Sequence, residues 1–148
     1  GANVCQKTWG DGPFGRERAF YGAAMENRNR LSTDLTARLL QAVMASALIS
    51  PPACARMRAL LERSLEAGAR AADPENQVDG FLGEGLPVGS RLWSKAGWMS
   101  QARHDAAYVE TPGHSPFLLV VFSEGPRCAK DPGLLPEIAT RLAQASRP

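Results

Sequence analysis

The sequence predicts a mixed α/β fold of the α+β kind, in which an αα-hairpin precedes a three-stranded antiparallel meander and one helix follows it. Two observations support this class. Apolar residues recur at intervals of three and four over residues 32–68 and again near the C-terminus, which is the helical period. Residues 91–122 carry alternating or continuous apolar runs, separated by connections too short for a parallel crossover.

Residues 32–68 predict two helices joined at a pair of prolines. Ser32 or Thr33 can cap the first helix through its hydroxyl. Ser50-Pro51-Pro52 ends it, because proline disfavours helical geometry in the residue before it. Proline also favours a helix start, so the second helix is expected from about Pro52, with Gly68 closing it.

The meander is expected from three short segments and the final helix from an apolar stripe. The predicted strands are residues 91–95, 104–109 and 117–122. The third is apolar on both faces, so it should be covered on both sides. The last helix carries Leu134, Leu135, Ile138, Leu142 and Ala145. Residues 1–31 are expected to be a loop-rich lead-in with a short helix over 16–25, and residues 69–90 a loop.

Composition excludes several classes of partner. The chain has 148 residues, 44% of them hydrophobic, and a net charge of +2, so it predicts neither a nucleic-acid-binding tract nor a membrane-binding face. No apolar run is long enough to span a bilayer. Residues 1–4 show no secretory signal, but a mature or truncated chain would look the same.

The cysteines suggest no metal site, and no cofactor is expected. Cys5, Cys54 and Cys128 are scattered, without zinc-ligand spacing. Cys54 lies on a predicted helix and is expected to be a small buried apolar residue. A disulfide between Cys5 and Cys128 stays open, because spacing alone does not decide connectivity.

The chain lacks an obvious nucleophile of its own. None of its serines is followed three residues later by lysine, and there is no G-x-S-x-G elbow. The histidines are His104 and His114, the second in a predicted turn, which makes a Ser-His-Asp triad improbable.

Lys95 is the most informative candidate. Alternation on its strand places Ser94 and Ala96 on one side, and Trp93, Lys95 and Gly97 on the other. A lysine followed by a small residue and glycine on the first strand of a meander is a known catalytic arrangement. The alternative is a solvated lysine that protects an edge strand from aggregation.

Together these stretches resemble the C-terminal part of class A β-lactamase-like, penicillin-recognising serine hydrolases, a β-lactamase/transpeptidase-like fold. The resemblance covers roughly residues 29–145, in the family's order and with compatible gaps. The stretches that carry it are 29–40, 85–89, 92–98, 104–109, 116–123 and the terminal helix.

The resemblance implies roles for five residues. In that family an S-x-x-K serine attacks a β-lactam or peptide carbonyl. Lys95 would supply positive charge in the pocket, and the backbone N–H of Trp98 would contribute to the oxyanion hole. Gly97 would keep the strand edge open to substrate. Ala96 stands where the family usually has a Thr or Ser that binds the substrate carboxylate, and Arg103 could take over that contact.

Other departures concern acidic residues and bulk. Asp105 matches an acidic position of the second strand, where structural hydrogen bonding is expected rather than catalysis. Glu17 and Glu26 lie in the region of the deacylating glutamate, but neither has the expected neighbours. The Trp98 side chain is expected to narrow the pocket.

The sequence therefore predicts the C-terminal portion of a serine hydrolase that is inactive without its S-x-x-K half. Its partners would be the N-terminal half of the same protein, or a complementary chain, and a small-molecule or peptide carbonyl substrate. The resemblance implies an exported or periplasmic protein. Two alternatives remain: a non-catalytic binding module that kept the fold, which Ala96 favours, and an unrelated α+β domain with a closed, well-covered sheet.

Overall fold

The computed structural model describes residues 14–24, 26–27 and 29–145. In this part of the chain the helices are α1 (Gly15–Tyr21), α2 (Thr33–Met44), α3 (Pro51–Leu61), α4 (Ala67–Ala72), α5 (Pro126–Lys130) and α6 (Leu134–Ala145). The strands are β1 (Glu62–Arg63), β2 (Arg91–Met99), β3 (Ala102–Glu110) and β4 (Phe117–Glu124), and a 3-10 turn spans Leu82–Gly85.

The sheet is antiparallel, in the order β1–β2–β3–β4. The α/β class and the predicted meander of β2, β3 and β4 are confirmed. The predicted number of strands, three, was too low by one. The additional strand β1 has two residues at the edge of the sheet, where Glu62 pairs with Trp93 and Arg63 with Leu92. A two-residue strand has no period of its own, so sequence alternation could not reveal it.

The αα-hairpin forms as its caps predict, but its first helix is shorter than expected. The Ser32 hydroxyl accepts a hydrogen bond from Leu35 N, and the Ser50 hydroxyl accepts one from Ala53 N. Helix α2 ends at Met44 instead of continuing to the prolines, and Ser46 then adopts a left-handed φ of 58°.

Arg58 on α3 satisfies the end of α2. Its guanidinium donates to the carbonyl of Val43 at 3.0 Å and to the Ser46 hydroxyl at 2.8 Å. Carbonyls in the last turn of a helix have no partner within the helix, so this contact joins α2 to α3. Cys54 is fully buried on α3, as expected from the sequence.

The second helix was predicted too long. Helix α3 ends at Leu61, because the next two residues leave the helix to pair with β2. Gly68 does not close it and instead lies inside α4. Residues 69–90, expected to be a loop, therefore include the end of α4 and the 3-10 turn. The short helix expected over 16–25 ends at Tyr21, where Gly22 has a φ of 79°.

The two faces of the sheet are covered by different helices. Helix α6 and the 3-10 turn pack on one face around a core cluster that includes Leu82, Leu92 and Leu135. The approach is close, because a Cβ on Gly85 would collide with the backbone carbonyl of Pro136. Helix α2 contacts β3 and β4, and α3 contacts β2. Strand β4 is half-buried throughout until Glu124, which fits the expectation of cover on both sides.

Two further sequence expectations concern membrane-spanning helices and the pairing of Cys5. Within the described residues, no helix is long and apolar enough to cross a membrane. Cys5 lies outside these residues, so its pairing with Cys128 stays a prediction.

Candidate functional site

The alternation predicted for β2 is confirmed, and it separates the motif residues onto two faces. Ser94 and Ala96 are buried on the face that α6 covers. Lys95 points to the opposite face, where Ala106 of β3 is its cross-strand neighbour. The Ala96 methyl thus lies in the core, and only the backbone of Ala96 is placed to meet a ligand at the strand edge.

Lys95 lies beside an apolar cavity of about 460 Å³ between the sheet and the α2–α3 hairpin. Helix α2 contributes Leu39, Leu40 and Val43, and helix α3 contributes Met57, Leu60 and Leu61. Leu39 and Leu60 remain 48% and 72% exposed. The aliphatic part of the Lys95 side chain therefore borders an open groove, while its ammonium group donates to Gln77 Oε1 and to the Ala96 carbonyl at the edge of β2.

Beyond Trp93, β2 has no strand paired to its outer edge in the described part of the chain. Ala96 N–H donates to Gln77 Oε1 at 3.3 Å, and Lys95 Nζ donates to the Ala96 carbonyl. The polar backbone groups of Ala96 therefore point away from β3. Because this direction alternates along an antiparallel strand, those of Trp98 point to the same free edge.

Gly97 and Trp98 leave this edge accessible. A Cβ built on Gly97 would meet no atom within 4 Å. The Trp98 indole is 47% exposed and lies against Phe81, with ring centroids 5.4 Å apart. It belongs to the α6 face, so its bulk lies on the opposite face from the Lys95 side chain.

Arg103 is not brought together with Lys95. It pairs with Trp98 in the β2–β3 register and so belongs to the α6 face. Its guanidinium donates to the carbonyl of Ala129 at 3.2 Å and to that of Gly80 at 3.0 Å, and stacks over Phe81 at 5.0 Å. These contacts fasten β3 to α5 and to the loop before the 3-10 turn. The carboxylate-binding role expected for Arg103 stays a prediction.

Burial sets the electrostatics of this strand pair. It raises the pKa of Asp105 to about 6, although the Leu82 N–H and the Lys95 charge act in the opposite direction. Loss of hydration lowers the pKa of Lys95, and the neighbouring Arg63 cation lowers it further, while Asp105 opposes both.

Sequence reasoning missed Gln77 and Arg63. Gln77 Oε1 accepts hydrogen bonds from Lys95 Nζ at 3.3 Å and from Arg63 Nη2 at 3.5 Å, in addition to the Ala96 N–H. Gln77 follows α4 in a segment with no recognisable motif, and Arg63 lies on the unpredicted strand β1. No local signal in the sequence joins either residue to Lys95.

The described part of the chain shows neither a cluster suited to a metal ion nor a carboxylate placed for deacylation. Within residues 14–24, 26–27 and 29–145, no group of three or more His, Cys, Asp or Glu side chains could hold a metal ion. The Glu26 carboxylate accepts a local hydrogen bond from Ala24 N at 3.1 Å.

Residues 14–146 match the family model described as the beta-lactamase enzyme family. No curated protein sequence matches the chain.

Solved structures give the same fold. A mutant of PBP-A, solved as an acyl-enzyme complex with penicillin G, matches with a TM-score of 0.65 at 18% identity, over 82% of this chain and 42% of that one. A beta-lactamase from Sphaerobacter thermophilus matches with a TM-score of 0.61 at 22% identity, over 80% of this chain and 41% of that one. A beta-lactamase from Xanthomonas campestris matches with a TM-score of 0.61 at 24% identity, over 86% of this chain and 46% of that one. The chain thus spans less than half the length of these proteins.

Proposed function

Because the chain belongs to the beta-lactamase enzyme family, we propose that it is the C-terminal part of a serine hydrolase. The substrate would be a β-lactam or a related amide or ester. The attacking serine would come from an S-x-x-K segment, which these 148 residues do not contain. The observation that carries the proposal is the free edge of β2, where Lys95 lies beside an open groove and Gly97 leaves space for a ligand.

The reaction divides into two steps. The serine oxygen attacks the carbonyl carbon, the bond to the leaving nitrogen or oxygen breaks, and the leaving atom takes up the serine's proton. Water then cleaves the acyl-serine ester and restores the hydroxyl. PBP-A has been solved as such an acyl-enzyme complex with penicillin G.

Lys95 and Trp98 would act from the edge of β2. The Lys95 ammonium supplies positive charge beside the bound substrate. The Trp98 N–H points to the free side of the strand and is available to the oxygen that becomes negative in the transition state. One donor of this kind is worth about 3 kcal/mol in other acyl-transfer enzymes.

The apolar groove favours the proposal that a companion polypeptide binds this chain. Leu39 and Leu60 expose large apolar surfaces on either side of it. The matched structures are more than twice as long as the part of them that this chain covers. A companion polypeptide that supplies the remaining part would therefore have ample surface to fill the groove. Because the aliphatic part of Lys95 lines the same groove, a seated companion would reach the edge of β2, where it could present its serine to the Lys95 ammonium. The companion would be the N-terminal half of the same protein or a complementary chain.

The test combines the full chain with the companion polypeptide that carries the S-x-x-K motif and adds a reporter penicillin. We expect an acyl adduct on the companion's serine, detected by intact-mass spectrometry, only when both polypeptides are present. Leu60→Glu should prevent assembly, whereas Val88→Glu, at a fully exposed loop position, should not. An assembled pair with neither adduct nor turnover would overturn the enzymatic proposal.

A second candidate is a binding module that has lost the chemistry. It is favoured by Ala96, which has no hydroxyl for a substrate carboxylate, and by Arg103, whose guanidinium is engaged by two backbone carbonyls. In that case the assembled pair would bind the penicillin reversibly, without a mass adduct.

A further inference from the structure

Three donors, one on β1 and two on β2, converge on a single side-chain oxygen of the protein. Gln77 Oε1 accepts from Lys95 Nζ and Ala96 N–H, both at 3.3 Å, and from Arg63 Nη2 at 3.5 Å. Two of these donors are cations, whereas the carboxamide oxygen is neutral. A carboxylate oxygen in the same place would form charge-assisted hydrogen bonds, which are about twice as strong.

The Gln77 contacts are weak enough to be displaced. All three distances exceed the usual range of about 2.7–3.2 Å for a hydrogen bond from nitrogen to oxygen. The two cations also oppose one another, since Arg63 lowers the pKa of Lys95. An anion between them would relieve that repulsion, and a neutral amide does so only in part.

Only the side chain of Gln77 has to move. The backbone on either side is fixed: Asn76 holds the loop by accepting from Val78 N and Asp79 N, and the Val78 side chain is 1% exposed in the core cluster. A polar cavity of about 280 Å³ adjoins Gln77 and gives the displaced carboxamide room to rotate. Rotamer changes of this kind occur within nanoseconds in partly exposed side chains.

We propose that the Gln77 carboxamide is an internal latch, which occupies the oxygen-binding position formed by Arg63, Lys95 and Ala96 and yields it to a carboxylate ligand. The ligand class is therefore an organic carboxylate that competes with Gln77 for the edge of β2. This inference rests on the proposed function, because it concerns the same strand edge, but it requires neither the companion nor acylation.

The test follows the Ala96 amide of the full chain by NMR during titration with benzoate at low ionic strength. Benzamide, which has the same shape without the charge, is the control ligand. The variants are Gln77→Ala, which removes the latch, and Gln77→Glu, which builds a carboxylate into it. Gln101→Ala, at an exposed turn position, is the matched control.

The latch makes opposite predictions for the two variants. Gln77→Ala should bind benzoate about fivefold more tightly than the parent chain, the effect expected for losing one competing hydrogen bond. Gln77→Glu should abolish benzoate binding, and Gln101→Ala should match the parent. Benzamide should leave the Ala96 amide unshifted in each chain.

Equal benzoate affinity in the parent and Gln77→Ala chains, or no shift of the Ala96 amide in either, would overturn the latch. These readouts involve no acyl adduct, so failure of the latch and failure of the proposed hydrolase are told apart. A chain that binds benzoate as predicted but forms no adduct with its companion would retain the latch and lose the enzymatic function.

Discussion

The buried carboxylate of Asp105 accepts a hydrogen bond from the backbone N–H of Leu82 at 3.1 Å, and both residues have 0% exposure. This contact ties β3 to the 3-10 turn beneath the motif strand. The other carboxylate oxygen, Oδ1, is buried without a hydrogen-bond partner among the described residues. Asp105 is therefore a structural carboxyl, as the sequence suggested, but an incompletely satisfied one.

The raised pKa of Asp105 predicts a chain that loses stability as the pH rises. Its folded-state pKa of about 6 lies above the ordinary value of 3.8, so between these values the folded chain keeps a proton that the unfolded chain releases. The free energy of unfolding should fall by about 2 kcal/mol from pH 4 to pH 7 on account of this group. Urea unfolding across that range measures it.

The Asp105→Asn variant isolates this effect. It keeps an acceptor for the Leu82 N–H and removes the charge, so its unfolding free energy should lose this decline between pH 4 and pH 7. Asp34→Asn changes an exposed residue on α2 and should keep the parent's decline. A decline in Asp105→Asn as steep as the parent's would show that another group is responsible.

Arg103 should behave as a structural residue. Its guanidinium donates to Gly80 O and Ala129 O, so Arg103→Ala should lower the unfolding free energy by about 2 kcal/mol. Arg141→Ala, which removes only an exposed ion pair with Glu137, should change it by less than about 1 kcal/mol. A normal unfolding free energy for Arg103→Ala, combined with weakened ligand binding, would return Arg103 to the carboxylate-binding role.

Gly68→Ala distinguishes the two descriptions of the helical region. The sequence predicts that Gly68 ends a helix, where a left-handed backbone would make alanine unfavourable. In the structure Gly68 lies inside α4, and an added Cβ meets no atom within 4 Å. The substitution should therefore raise the unfolding free energy by about 0.5–1 kcal/mol. Destabilisation by a similar amount would mean that a helix ends at Gly68, as the sequence predicts.

Local patterns were sufficient for most of the fold. Alternation located β2 and β3, the apolar stripe from Leu134 to Ala145 matches α6, and the Ser32 hydroxyl caps α2 as predicted. The errors arose where distant segments compete with local preference. Strand β1 exists because Glu62 and Arg63 find backbone partners about 30 residues later, and that pairing also ends α3.

The site was predictable only along its own strand. The sequence placed Lys95 and Ala96 on opposite faces, because side chains alternate on any strand. It could not place Gln77 beside Lys95 or Gly80 beside Arg103, since those contacts depend on how the loop after α4 folds over the sheet edge. The roles of the motif residues in catalysis stay predictions.

The rate of acylation in the assembled pair tests the central role of Lys95 most directly. Stopped-flow mixing of the companion-bound chain with the reporter penicillin gives this rate constant for the parent and two lysine variants. Lys95→Ala should slow acylation about a hundredfold, because it removes the only charge that this strand presents beside the groove in the described structure. Lys130→Ala, on the exposed side of α5, should match the parent. Equal acylation rates for Lys95→Ala and the parent would contradict the account.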